Sequence, residues 1–264
     1  VTSRNRPPRE QVLIITGTSQ GIGLGVACQL IEDGYNIALF DIAPVRDRQI
    51  AEYVRSRPYQ VACWQVDVGN REDVVKAVAG VIDRWGRIDG LINIAGAKLY
   101  RSYEEITPEE FENVIRTNLN GPYYLCHEVI PHMKRQKYGK IINMSSRSGM
   151  EFYAKGTAYC ASKAGLIGFS QSLACALRNT EITVNVLCPS GVATSKLSEE
   201  QPDVEVRKLL STGEIVKVIR VILRPQNTIT GMVWPFYSLK AMIKAILTHG
   251  VQFARWIPQI RRLL

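Results

Sequence analysis

The sequence predicts an α/β fold, a doubly wound parallel sheet covered by helices on both faces. Three observations carry this. Short continuous apolar runs, of which Val12-Leu13-Ile14-Ile15 is the first, suit strands buried on both faces. Segments of helical period separate these runs along the chain. The first run leads into the glycine-rich turn Thr16-Gly17-Thr18-Ser19-Gln20-Gly21-Ile22-Gly23, which joins it to a helix. With 264 residues, 46% hydrophobic and 22% charged, the chain has the size and composition of one soluble α/β unit with a large core.

The elements follow in order. Residues 22–33 read as a helix stopped by Gly34, and 36–40 as a second strand ending at Asp41. A polar stretch, 45–57, reads as helical before Pro58. The third strand is 61–66, the next helix 72–85, and the fourth strand 90–94, closed by Ala95-Gly96. Thr107 is the expected N-cap of a helix over 108–117, followed by a helix over 120–135. A strand over 140–144 leads into Ser145-Ser146, and a long helix over 157–179 carries Tyr159 and Lys163. A strand over 183–188 stops at Pro189. Ser211-Thr212-Gly213-Glu214 has the form of a capping box opening a helix to Leu223, and 229–236 reads as the last strand. No linker or repeat interrupts the series. The expected organisation is an arm over 1–10, a nucleotide-binding domain over 11–236, and an appended segment over 237–264.

Composition narrows the function. No apolar run reaches the ~18 residues that a membrane-spanning helix needs. The first ten residues are polar and rich in Arg and Pro, so they read as a flexible arm and not as a signal peptide. Cys28, Cys63, Cys126, Cys160, Cys175 and Cys188 form no C-x-x-C pair, which suits reduced thiols in a cytoplasmic protein. His127, His132 and His249 form no ligand-spaced cluster, so no metal site is expected. The net charge is +9, and the eight Lys and Arg residues after Glu214, the last acid, carry +8 of it. The rest is nearly neutral and holds no nucleic-acid reading motif, so nucleic-acid binding is not expected.

Two motifs carry chemistry. Gly17, Gly21 and Gly23 let the backbone turn sharply and approach a pyrophosphate, and the helix N-terminus behind them favours its charge. Ser19, Gln20 and Ile22 share that turn. Asp41, 18 residues after Gly23, can accept bonds from both adenosine ribose hydroxyls and repels a 2′-phosphate, so NAD is expected over NADP. No Arg or Lys stands in Thr18-Ser19-Gln20 to answer such a phosphate; Arg46 is nearby, beyond Pro44. Tyr159 and Lys163 at i and i+4 share a helix face. A free phenol, with a pKa near ~10, is a weak base at neutral pH, and a neighbouring ammonium lowers that value. Either motif alone is a modest signal, because glycine turns also serve packing and Tyr–Lys pairs occur on solvated helices.

In order along the chain stand Thr16 to Gly23, Asp67-Val68, Asn93-Ile94-Ala95-Gly96, Asn118, Ser146, and Tyr159 with Lys163. Ser146 precedes Tyr159 by 13 residues. With this set the chain resembles the short-chain dehydrogenases/reductases over roughly residues 10–235. The resemblance implies a Rossmann-type sheet and an NAD-dependent oxidoreductase that interconverts a secondary alcohol and a ketone. It implies Tyr159 as general acid/base, Ser146 as the group orienting the substrate oxygen, and Lys163 as ribose ligand and modulator of Tyr159. It implies that Asn118 holds a water, that Asp67 and Val68 flank adenine, and that Asn93 supports the central strand. Ile42, Ala95, Gly96, Pro189, Ser190, Val192 and Thr194 complete the expected cofactor contacts. Ser145 is the rival for the serine role, but it should point the other way on an extended segment.

The chain departs from the family pattern at three places. Ile94 stands for the second Asn of N-N-A-G, a change expected to alter a structural hydrogen bond and not the chemistry. Pro189-Ser190-Gly191 replaces Pro-Gly. The end of the chain is basic and amphipathic: Phe236, Leu239, Met242, Ile243, Ile246 and Leu247 fall on one helical face, Lys240, Lys244 and Thr248 on the other. That segment suits an anionic membrane surface, an acidic partner, or packing on its own domain or a second subunit. A homodimer or homotetramer is expected. Tyr100, Tyr103, Met150, Phe152 and Tyr153 predict a roomy, partly aromatic substrate pocket. The rival functions are reduction of a 3-oxoacyl group on a carrier protein and a regulator that binds nucleotide without turnover.

Overall fold

A computed structural model describes residues 6–44, 46–192 and 210–236. Among these residues seven strands form one sheet, all parallel: β1 (Val12–Thr16), β2 (Asn36–Asp41), β3 (Val61–Gln65), β4 (Gly90–Asn93), β5 (Gly139–Met144), β6 (Ile182–Pro189) and β7 (Val233–Phe236). Their order is β3-β2-β1-β4-β5-β6-β7. The chain runs outward from β1 to β3, then crosses back to β4 and runs outward the other way. This reversal puts the β1/β4 boundary at the switch point of a doubly wound sheet, where ligands bind outside the carboxyl ends of the strands.

Strand side chains divide between two cores. Leu13 and Ile15 enter the core under α1 (Gly21–Glu32) and α2 (Arg48–Ser56), while Val12 and Ile14 enter the core under α3 (Arg71–Trp85). Every residue of β1 is therefore buried, as expected of a parallel strand covered twice. The helices α4 (Pro108–Ile115), α5 (Gly121–Gln136), α6 (Thr157–Ala176) and α7 (Thr212–Leu223) complete the layers.

Local chemistry sets the boundaries. Asn70 caps α3 by accepting from the Glu72 and Asp73 amides, and the expected caps at Thr107 and Ser211 both form boxes with the acid three residues on. Helix α1 ends where Gly34 turns to φ +93, with Tyr35 N–H bonding Leu30 O and Gly34 N–H bonding Ile31 O. The polar stretch before Pro58 starts later than its sequence suggests, because Asp47 accepts from Gln49 and Ile50 and caps α2 there. The long helix stops at Ala176 and not at 179, and the last strand begins at Val233 and not at 229. In the second case Thr230 Oγ1 and Asn185 Nδ2 take up the hydrogen bonds around 229–230 that a ladder would otherwise make.

The largest departure joins two expected helices. A π turn, Arg116–Asn120, links α4 and α5 into one path where the sequence suggested a break. Such turns bulge one residue out of the regular ladder and re-aim its neighbours. The residue they re-aim here is Asn118. Thr194 and the appended segment 237–264 lie outside the described residues.

Candidate active site

Two cavities open along the carboxyl edge of the sheet and run into one another. One, about 400 Å³, lies over Gly17, Ser19, Gln20, Gly21, Asp41, Asp67 and Val68. The other, about 520 Å³, lies over Ser146, Tyr159, Lys163 and Pro189 to Val192. Ile22, Ile94, Gly96 and Lys98 line both and mark the junction. The combined cleft reaches over both halves of the sheet.

The first half is made by backbone. Gly17 at φ +72 and Gly21 at φ +61 take conformations that side chains disfavour. At Gly23 a Cβ would stand 1.9 Å from Gly17 O, so the turn closes only around a glycine. Thr16, at the end of β1, is buried, and its Oγ1 accepts from the Ile94 and Ala95 amides at 2.9 and 3.0 Å. That hydroxyl ties the glycine turn to the end of β4. Asp41 faces the same turn: one carboxylate oxygen accepts from Ser19 N–H at 2.8 Å, the other from Ala43 N–H at 2.9 Å. The carboxylate is thus oriented, with lone pairs remaining for further donors. Ile42 lines this half with 63% of its surface exposed. Asp67 accepts from Gly69 N–H at 2.9 Å and pairs with Arg116 at 2.7 Å.

The second half is made by side chains from α6 and from the segments that follow β4 and β5, with Asn118 of the π turn fully buried and not lining the cavity. Lys163 is buried, and its Nζ donates to Met144 O at 2.8 Å. Burial lowers this ammonium from its ordinary value to about 8; Cys188 opposes the shift and the charge on Lys98 adds to it. Nζ stands 5.7 Å from the centre of the Tyr159 ring. Tyr159 is itself buried, with Tyr100 at 5.9 Å between ring centres, and Tyr153 lies 6.1 Å beyond Tyr100. Of the residues expected to form an aromatic pocket, Tyr100 and Tyr153 line the cavity, whereas Tyr103, Met150 and Phe152 do not.

The two serines separate as their positions suggest. Ser145 Oγ donates to Lys163 O at 2.8 Å and anchors α6 to the end of β5. Ser146 is half-buried at the cavity, where its Oγ accepts from Ser148 N–H at 3.1 Å. Gly149 makes this approach feasible, since a Cβ there would meet the Lys163 carbonyl at 2.8 Å. Asn118 is fully buried. Its Oδ1 accepts from Ala97 N–H, while Nδ2 donates to Ala97 O and Ser162 Oγ. Both amide hydrogens are therefore committed to the fold. The water expected on Asn118 would have to use the remaining Oδ1 lone pair or the backbone carbonyl.

The glycine cradle, the oriented Asp41 and the continuous cleft fit a nicotinamide dinucleotide. The family model described as short chain dehydrogenase matches residues 11–205, which span every one of these features. The chain belongs to the short-chain dehydrogenase/reductase family. Its relatives include a short-chain dehydrogenase/reductase, olcF, of Penicillium canescens, 38% identical over 73% of each chain. They also include a 3-oxoacyl-[acyl-carrier-protein] reductase, FabG, of Aggregatibacter actinomycetemcomitans, 30% identical over 78% of this chain and 86% of that protein. Among solved structures, NAD+-bound xylitol dehydrogenase superposes with a TM-score of 0.80 at 25% identity, over 88% of this chain and 99% of that one. ElxO with NADP bound superposes at 0.78 and 25%, over 85% and 96%. This dehydrogenase/reductase is therefore an oxidoreductase with the fold of NAD- and NADP-binding enzymes.

Several residues of its cleft escaped the sequence reading. Lys98 lines both cavities, and Arg116 closes on Asp67; neither belongs to a recognisable pattern, because each reaches the cleft only through a turn whose path the sequence does not display. Thr16 stood inside the glycine motif, and its bond to the end of β4 depends on the strand crossing. Ile94 was expected to change only a structural bond. It lines both cavities, so its side chain also shapes the passage between them. Arg46 lines a small recess, about 120 Å³, together with Asp41.

Proposed function

We propose that this enzyme interconverts a secondary alcohol and a ketone, with Tyr159 as general acid/base and NAD as the preferred coenzyme. The observation that carries the reading is the meeting of Tyr159, Lys163 and Ser146 on one cavity that continues into the glycine cradle. Gly17 to Gly23 and the N-terminus of α1 would hold the pyrophosphate, Asp41 the adenosine ribose, and Lys163 the second ribose. When bound, the nicotinamide supplies the hydride acceptor or donor. The Tyr159 phenolate takes the hydroxyl proton of the alcohol, and in the reverse direction the phenol gives its proton to the ketone oxygen and becomes the phenolate. Lys163 stabilises the phenolate that results, and its amine is fixed for that task by Met144 O. Ser146 donates to the substrate oxygen and sets its distance from Tyr159. Closure of the site around buried Tyr159 and Lys163 excludes water and strengthens both interactions.

The coenzyme preference rests on Asp41, whose negative charge opposes a 2′-phosphate at the ribose position. Arg46 beside it is the cation that could answer such a phosphate if Asp41 were removed. The 30% identity to FabG favours a second reading, reduction of a 3-oxoacyl group on a carrier protein. Asp41 speaks against it, because reductive biosynthesis draws on the phosphorylated coenzyme.

Tyr159→Phe tests the mechanism. The ring and its packing remain, so coenzyme binding should stay within about twofold, while kcat falls by about 10²–10⁴, the range of a lost acid/base group. Normal turnover by the Phe variant would remove Tyr159 from the mechanism. A screen of secondary alcohols and ketones with both coenzymes, followed by absorbance of the reduced nicotinamide, supplies the substrate for this comparison.

A further inference from the structure

The cavity over Tyr159 has a one-sided charge. Lys98, Arg147, Lys155 and Lys163 line it, and no Asp or Glu does so among the described residues. Lys163 belongs to the catalytic set, and Lys98 at the junction is shared with the coenzyme half. Arg147 and Lys155 are different: they line the cavity over Tyr159 and not the one over the glycine turn. The adenosine and pyrophosphate end of a dinucleotide therefore does not account for them.

Their placement is built into the backbone. The Lys155 carbonyl accepts from Arg101 N–H at 3.1 Å, and Gly156 N–H bonds Tyr153 O at 3.1 Å. A Cβ on Gly156 would stand 2.3 Å from the Tyr153 ring, so the tight turn that presents Lys155 needs glycine there. Lys155 has no salt-bridge partner among the described residues, while Arg147 meets Glu151 only at 3.6 Å. A concave wall with low-dielectric flanks focuses the field of such charges and raises the local concentration of anions.

We propose that the substrate carries an acidic group, a carboxylate or a phosphate, held by Lys155 and Arg147 while its carbinol carbon lies at Tyr159. This rests on the alcohol/ketone reading of the same site and specifies its substrate class. Tyr100 and Tyr153 line the same cavity and offer an apolar surface for a connecting portion. The cations thus select one end of an amphiphilic molecule and fix which carbon meets Tyr159.

A binding experiment tests this without turnover. The protein, saturated with NADH or NADPH, whichever binds more tightly, is titrated calorimetrically with hexanoate, n-hexyl phosphate and hexan-1-ol. At low salt at least one anion should bind about tenfold more tightly than the alcohol, the size of one charge-assisted contact. Added salt should erode the difference. The tighter anion separates carboxylate from phosphate. Lys155→Gln should shrink the difference and Lys155→Glu abolish it, whereas Lys76→Gln, on α3 outside both cavities, should leave it unchanged. Hexan-1-ol binding as tightly as both anions overturns the proposal. So does a Lys155→Glu protein that still binds coenzyme and keeps the full anion preference. Because the readout is binding, normal turnover by Tyr159→Phe would sink the mechanism while leaving this result to stand or fall by itself.

Discussion

The two halves of the cleft solve different problems with different parts of the chain. The coenzyme half is built from consecutive residues, Thr16 to Gly23, and its shape is a backbone shape. The substrate half assembles Ser146, Tyr159, Lys163, Asn118 and the aromatic wall from four separate segments. In the first half a single missing Cβ decides whether the turn can form. In the second, buried hydrogen bonds decide where each side chain points, and several groups depend on one another. Asn118, for example, is bonded at once to Ala97 and to Ser162 of α6. A motif written contiguously can be read from sequence; a constellation held by long-range bonds is legible only where a family pattern happens to name its members.

Substitutions on each side sharpen this contrast. The largest effect expected on the backbone side comes from Gly23→Ala. Its Cβ would meet Gly17 O at 1.9 Å, a carbonyl that cannot move without opening the turn. Overpacking of this kind costs about 1–3 kcal/mol, and coenzyme affinity should fall by more than tenfold in the protein that still folds. Denaturant unfolding and coenzyme titration read the two effects separately. Wild-type affinity and stability in this variant would show that the turn is less confined than its geometry indicates.

Asp41→Ala is a smaller change in the same half. It removes an oriented carboxylate without touching the backbone path, so the fold should be retained. Preference for NADH over NADPH should shrink by about tenfold, as both ribose hydrogen bonds and the repulsion of the 2′-phosphate are lost. Combining it with Arg46→Ala should lower NADPH affinity again if Arg46 receives the phosphate. A wild type that binds NADPH more tightly than NADH would end the argument from Asp41.

The smallest expected effect belongs to the substrate half and is electrostatic. Burial lowers Lys163 to about 8, so its charge is present well below that pH and is lost as pH rises through it. Affinity for the reduced coenzyme should therefore weaken severalfold across this range, because a neutral amine retains a hydrogen bond but loses its charge. Lys163→Met should bind more weakly throughout and show no such step. A flat profile in the wild type would mean that Lys163 keeps its ordinary value in the protein.

Much of the molecule could be read before its structure. The apolar runs, Gly34, Thr107 and the Ser211–Glu214 box placed elements correctly, because caps and periodicity act over a few residues. The boundary errors are instructive. Residues 229–236 read as one strand, yet Thr230 and Asn185 make side-chain bonds around 229–230, which propensity does not encode. The break expected after Thr117 became a π turn for a similar reason. Asn118 is pulled inward by Ala97 and Ser162, and the local ladder adjusts to it.

What the sequence by itself determined is the sheet, the glycine turn, Asp41 at the end of β2, and the Tyr159–Lys163 pair one helical turn apart. These depend on local chemistry: conformational freedom at glycine, period along a strand or helix, and charge at a strand end. Only the tertiary structure decided that Ser145 Oγ is taken up by the Lys163 carbonyl, that Thr16 ties β1 to β4, and that Lys98, Arg147 and Lys155 line one cavity with Tyr159. Those outcomes turn on strand order, on the crossing from β3 back to β4, and on buried polar groups that must find partners. Long-range contact, and not local preference, aims such side chains.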